Sequence, residues 1–134
     1  MPGPRDYAGP NPISEIETKN MVNFTKLFNF DMTISLHSQG KEIYWNYLNY
    51  KIDNAYEIGK KFEKVSGYLL TKPDYYSSFA GYKDWFIENF KKPGYTIEIG
   101  EGEEGRPLSL ENANKIYEEI EEIFLVAIEQ CQYL

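Results

Sequence analysis

Gly94-Tyr95-Thr96-Ile97-Glu98-Ile99-Gly100 is the stretch on which the reading of this chain turns. β-Branched and aromatic residues fill its interior and glycine stands at either end, the composition of a short strand. One carboxylate lies within it. An ionised carboxylate is costly to bury, so Glu98 is expected at the strand's exposed mouth or beside a specific partner. A second run of this kind, Met32-Thr33-Ile34-Ser35-Leu36-His37-Ser38, ends in the only histidine of the protein. Two short strands, each delivering a chemically capable residue near its carboxyl end, match the layout of open α/β sheets, where sites form outside those ends.

Outward from these strands, the pattern alternates helix and strand. Residues 1 to 12 hold four of the seven prolines and two glycines, which predicts extended loop. Ser14-Glu15-Ile16-Glu17 has the spacing of a helix capping box, with Ser14 accepting from the Glu17 amide. Ile13, Ile16, Met21, Phe24, Leu27 and Phe28 then recur at helical spacing to about Asn29. Glu42-Ile43-Tyr44-Trp45 reads as a short strand. Ile52, Ala55, Tyr56, Gly59 and Phe62 line a second helix, with Gly67 as its stop. Tyr68-Leu69-Leu70 reads as a strand, residues 72 to 80 as a loop of functional length, and Tyr82 to Phe90 as a short helix. A final helix begins at Ser109, its apolar stripe being Ala113, Ile116, Tyr117, Ile120, Ile123, Phe124, Ala127 and Ile128. The class is α/β, with a mixed, mostly parallel sheet and flanking helices.

The chain of 134 residues has the length of one domain. Its net charge of −7 argues against nucleic acid and anionic membrane as partners, since both require basic patches. No apolar run approaches the roughly 20 residues of a membrane span. No charged-then-apolar leader opens the sequence, and cytoplasm and cell wall both stay open as locations. The single Cys131 forms no internal disulfide and falls in an apolar helical pattern, as a buried structural thiol does.

Taken residue by residue, the chemistry stays ambiguous. His37 has two readings, a structural imidazole with satisfied hydrogen bonds or a metal ligand. Its neighbour Ser38 does not make a Ser–His pair, because adjacent positions do not provide that geometry. Glu98 is a candidate base. Glu101, Glu103 and Glu104 form an acidic turn without the spacing of a calcium loop. Tyr75 and Tyr76 could reach a ligand from their loop, or cover a hydrophobic edge.

As a set, the residues resemble a family. Ser14-Glu15-Ile16-Glu17 is similar to the Ser-Glu-x-Glu helix start of the zinc carboxypeptidases (the carboxypeptidase A-like metallopeptidases). Leu36-His37-Ser38 resembles the strand end that carries their third zinc ligand. Tyr76, eight residues before Asp84-Trp85, resembles the mobile-loop tyrosine that closes on substrate. Glu98, fourteen residues after Asp84, matches the catalytic glutamate. His37-Ser38-Gln39-Gly40 leading into Glu42-Ile43-Tyr44-Trp45, with Arg5-Asp6-Tyr7 and Gly9-Pro10, further resembles bacterial γ-D-glutamyl-diamino acid peptidases, which cut peptidoglycan stem peptides.

The resemblance implies a partial carboxypeptidase-like fold and a peptide substrate, in the narrower form a cell-wall peptide. It implies zinc as cofactor, His37 as metal ligand and Glu98 as general base. Tyr76 would bind substrate, and Lys83 would pair with an acidic substrate group. It covers the C-terminal portion of the family's fold. The family's His-x-x-Glu zinc motif needs a second histidine, and this chain has one. The expectation is a piece of a larger peptidase, a poor zinc binder and inactive alone, that self-associates through an uncovered sheet edge. The alternatives are a non-catalytic peptide- or glycan-binding module and a scaffold domain in which the same residues are structural.

Overall fold

Alternating side chains let each strand bury one face and leave the other to chemistry, and that division organises this molecule. The computed structural model describes residues 9–75, 78–79, 81–102 and 106–134. The chain forms two units, Met1–Phe30 and Asp31–Leu134.

In the first unit, α1 spans Ile16–Phe28. The expected capping box does not form. Glu15 is the N-cap and no side chain bonds the cap, while Ser14 Oγ donates to Glu15 Oε1 at 2.9 Å. The helix begins one residue too late for Ser14, which stands outside the cap position. At the other end Asn29 adopts the left-handed conformation (φ 46°) and its N–H closes on the Thr25 carbonyl at 3.2 Å, a role asparagine fills at low cost. Phe24, Phe28 and Phe30 cluster, with ring centroids 4.8 to 5.9 Å apart.

The second unit holds β1 (Thr33–His37), β2 (Glu42–Tyr44), α2 (Ala55–Ser66), β3 (Leu69–Thr71), α3 (Tyr82–Phe90), β4 (Gly94–Glu98) and α4 (Ala113–Cys131). The sheet order is β1-β4-β2-β3. β1 runs parallel to β4 and β2 parallel to β3, while β2 and β4 are antiparallel, so the sheet is mixed and mostly parallel as expected. The odd-numbered residues of β4, Tyr95 and Ile97, join Ile43 in a core closed by Ile58 and Phe62 of α2, Tyr68, and Ile120 and Ile123 of α4. Phe62 meets Tyr95 edge-on at 4.9 Å, and Tyr95 Oη donates to the Ala55 carbonyl at 2.7 Å.

α3 covers the opposite face. A Cβ on Gly94 would lie 3.3 to 3.4 Å from Ile87 and Lys83, so glycine lets this helix approach the start of β4. α2 approaches β3 in the same way, with Leu70 filling the space where a Gly59 side chain would stand. Gly67 stops α2 in the left-handed conformation, as its place in the sequence predicts.

Two expectations for α4 change. Ser109 does not start the α-helix; its Oγ accepts from the Glu111 N–H at 3.3 Å and caps a 3-10 turn, Leu110–Asn112, that leads into it. The apolar stripe also divides. Ile120 and Ile123 are buried, with Ile116 and Ala127 half-buried beside them, whereas Tyr117, Phe124 and Ile128 are exposed. Residues 116, 120, 123, 127 and 130 form one narrow seam, and the other three lie about 100° further round the helix. Buried Gln130 ends the seam and accepts from Lys61 Nζ at 2.5 Å. Cys131 is half-buried, and burial followed by the charge of Asp31 pushes its thiol up.

Candidate functional site

The face turned away from the main core is polar almost throughout. Ser35, Thr96, Tyr44 and Thr71 occupy one register row across the four strands. The next row is His37, Glu98, Glu42 and Leu69. Residues paired directly across a ladder project to the same face, and neighbouring strands lie about 4.8 Å apart. The backbone therefore sets an imidazole and two carboxylates side by side. His37 is exposed, and Glu98 and Glu42 are half-buried.

Glu98 thus stands half-buried at the carboxyl end of its strand, with His37 and Glu42 paired beside it across the ladder. Partial burial raises its carboxyl above the ordinary value; His37 pulls it down and the charge of Glu42 pushes it up, leaving it raised. A carboxyl so placed holds a proton more readily than a solvated one, which suits proton exchange. Backbone bonds fix the row. The Ile99 N–H donates to the His37 carbonyl at 2.7 Å, and the Gly40 N–H donates to the Gly100 carbonyl at 3.0 Å.

The sequence alone assigns no role to Glu42 and Tyr44. Tyr44 Oη donates to Glu42 Oε2 at 2.5 Å, and burial, then that bond, raises the phenol. The signal was present as an i, i+2 pair in a strand, with Ile43 turned inward between them. Which strand β2 would pair with was not legible, so nothing placed Glu42 beside Glu98.

Lys83 lies at the other end of this face. Its stem covers Gly94, four residues before Glu98, or roughly 13 Å along the strand. Its buried ammonium donates to the Asn46 carbonyl at 2.6 Å and to Asp84 Oδ1. Asp84 Oδ2 in turn accepts from the Phe79 N–H at 2.9 Å. The backbone does not bring Lys83 to the His37–Glu98 row. Tyr76 lies outside the described residues, as do Glu103, Glu104 and Arg5-Asp6-Tyr7. Tyr75 is exposed, with its ring 5.0 Å from that of Phe79. Among the described residues no three or more His, Cys, Asp or Glu side chains converge to hold a metal ion. None of their helices is long and apolar enough to cross a membrane.

Comparison with known proteins bears on this arrangement. A family model described as zinc carboxypeptidase matches residues 1–126. The chain is 38% identical over 127 residues to γ-D-glutamyl-L-diamino acid endopeptidase 1 of Lysinibacillus sphaericus, covering 95% of this chain and 31% of that protein. It is 35% identical over 116 residues to the uncharacterized protein YqgT of Bacillus subtilis (strain 168), covering 87% of this chain and 30% of that one. The chain thus spans about three-tenths of the length of these relatives.

Proposed function

The chain belongs to the zinc carboxypeptidase family, and from that premise we propose that it carries the acid/base half of a site that hydrolyses a peptide bond. One observation carries this reading: the in-register row that sets Glu98 between His37 and Glu42 at the open end of β4. Glu98 takes a proton from the attacking water and returns it to the amine that leaves. Its raised carboxyl makes it the better acceptor in the first half of that exchange.

His37 is the residue proposed to bind zinc. A protein zinc site needs three or four converging donors. The described residues do not supply them, and the chain has no second imidazole. The remaining donors are proposed to come from beyond the described residues, and the chemistry of this chain is that of Glu98. The name of the Lysinibacillus relative supports a peptide with a γ-D-glutamyl-L-diamino acid linkage as substrate, as in a cell-wall stem peptide. Tyr76 and Lys83 are proposed to contact it. Because Lys83 is already bonded to Asp84, an acidic substrate group would join an existing ion pair.

The test is Glu98→Gln in the longest natural form of the protein. A peptidase loses turnover and keeps ligand affinity. Unchanged behaviour would favour the alternative, a non-catalytic peptide- or glycan-binding module. Self-association is proposed on a separate ground. β1 and β3 are the outer strands of the described sheet, and Leu36 and Leu69 on them are 44% and 57% exposed. Sedimentation should show mass rising with concentration; a constant monomer mass overturns it.

A further inference from the structure

Just beyond the His37–Glu98 row, five residues close a ring of hydrogen bonds. Lys41 Nζ donates to Glu119 Oε1 at 2.7 Å. Tyr68 Oη donates to Glu119 Oε2 at 2.9 Å. The Gly100 N–H donates to Tyr68 Oη at 3.0 Å. The Gly40 N–H donates to the Gly100 carbonyl at 3.0 Å, and Gly40 is bonded covalently to Lys41. The ring joins α4 to the two backbone segments that leave β1 and β4, three residues after His37 and two after Glu98.

Each member has a defined direction. The Tyr68 hydroxyl has one proton, which it gives to Glu119, so its lone pair is free to accept from Gly100. Tyr68 is 1% exposed, and burial raises its phenol to about 12, which keeps the proton in place. Gly100 is buried and closely packed. It holds a left-handed conformation (φ +69°), and a Cβ there would lie 2.8 Å from Ile116 and 2.9 Å from Leu108. Both hydrogen-bonding groups of its residue are therefore held by the ring in a tightly packed place.

We infer that this ring clamps the carboxyl end of β4 and so positions Glu98, with Tyr68, Glu119 and Lys41 as positioning residues. The clamp itself is independent of the functional reading; its service to Glu98 as an acid/base group rests on that reading. None of the three side chains needs to touch substrate. Their effect passes through the Gly100 peptide and the Ile99 N–H that bonds the His37 carbonyl.

The experiment is amide hydrogen exchange on the chain carrying Tyr68→Phe, read residue by residue. Removing the hydroxyl leaves the Gly100 N–H unpaired, so the amides of Gly40, Ile99 and Gly100 should exchange about 10-fold faster or more. The amides of Ile58 and Phe62 in α2 should follow only the change in global stability. Uniform acceleration, or none, overturns the clamp. Should Tyr68→Phe fail to fold, Lys41→Met, at a partly exposed position, reads the same three amides.

A second arm uses the longest natural form with a peptide substrate. Tyr68→Phe should lower kcat several-fold with KM little changed. Faster local exchange with full kcat in an active enzyme overturns the positioning role. If the natural form with its own sequence cleaves no peptide, the functional reading fails, and the exchange arm still decides the clamp.

Discussion

Replacing Glu119 with glutamine removes one charge and keeps the shape, so it isolates what the carboxylate does. In the structure that carboxylate accepts from an ammonium and a phenol, one on each oxygen, with the Lys41 and Glu119 side chains 28% and 17% exposed. A hydrogen bond to a charged group contributes about 1.5–3 kcal/mol when well buried. Partial exposure reduces this, and the glutamine carbonyl still accepts one of the two bonds. The expected loss is therefore about 1–2 kcal/mol at pH 7, or a melting temperature lower by about 3–8 °C. The pH dependence has a definite sign. Burial alone would raise the Glu119 carboxyl, but the bonds from Lys41 and Tyr68 and the charges of Lys41 and Lys115 outweigh it, so it lies below its ordinary value of 4.5. A group depressed on folding stabilises fully above its unfolded value, and loses that contribution as pH falls through the folded one. Urea unfolding from pH 8 to pH 3 should show a constant gap between native and Glu119→Gln protein down to about pH 5, closing below about pH 4.5. A gap that persists undiminished at the lowest pH would show that the charge is not its source. No gap at pH 7 would mean that the charge on Glu119 adds nothing net to what a neutral acceptor provides.

Three further outcomes are expected. Gly59→Ala places a methyl 2.6 Å from Leu70 Cδ1; overpacking of about 1–3 kcal/mol outweighs a helix-propensity gain of about 1 kcal/mol, and urea unfolding should show a small net loss. Stabilisation would mean that the Leu70 side chain swings clear. Tyr95→Phe removes the bond to the Ala55 carbonyl while keeping the ring on Phe62; stability should fall by about 1 kcal/mol, and an unchanged denaturation midpoint would refute that bond's contribution. In a zinc competition titration the chain should bind at about micromolar affinity or weaker, with little change in His37→Ala, since one imidazole falls short of a site. Tight one-to-one binding lost in the variant would show that the chain builds a site of its own.

Much of the second unit was legible because its signals are local. Gly67 marks the stop of α2, and α3 coincides with Tyr82 to Phe90 because the apolar spacing and the flanking residues agree. β4 lies where glycine brackets a β-branched run. Errors arose where two local rules competed. Ser14 had the composition of a cap but lay one residue outside it. The stripe on α4 was too wide, since 3.6-residue periodicity shows that a helix has an apolar side without showing how much of that side a neighbour covers.

The sequence by itself determined the elements, their alternation and the two residues, His37 and Glu98, that stand at strand ends, because these follow from side-chain periodicity and turn chemistry over a few residues. Only the tertiary structure decided that β2 enters the sheet antiparallel beside β4, bringing Glu42 against Glu98, and that Lys83 is buried on Asp84. It also joined Lys41 to Glu119, 78 residues apart, and Tyr68 to Gly100, 32 apart. Strand pairing and buried hydrogen bonds depend on which surfaces remain to be covered once the chain has collapsed, and no short window of sequence contains that information.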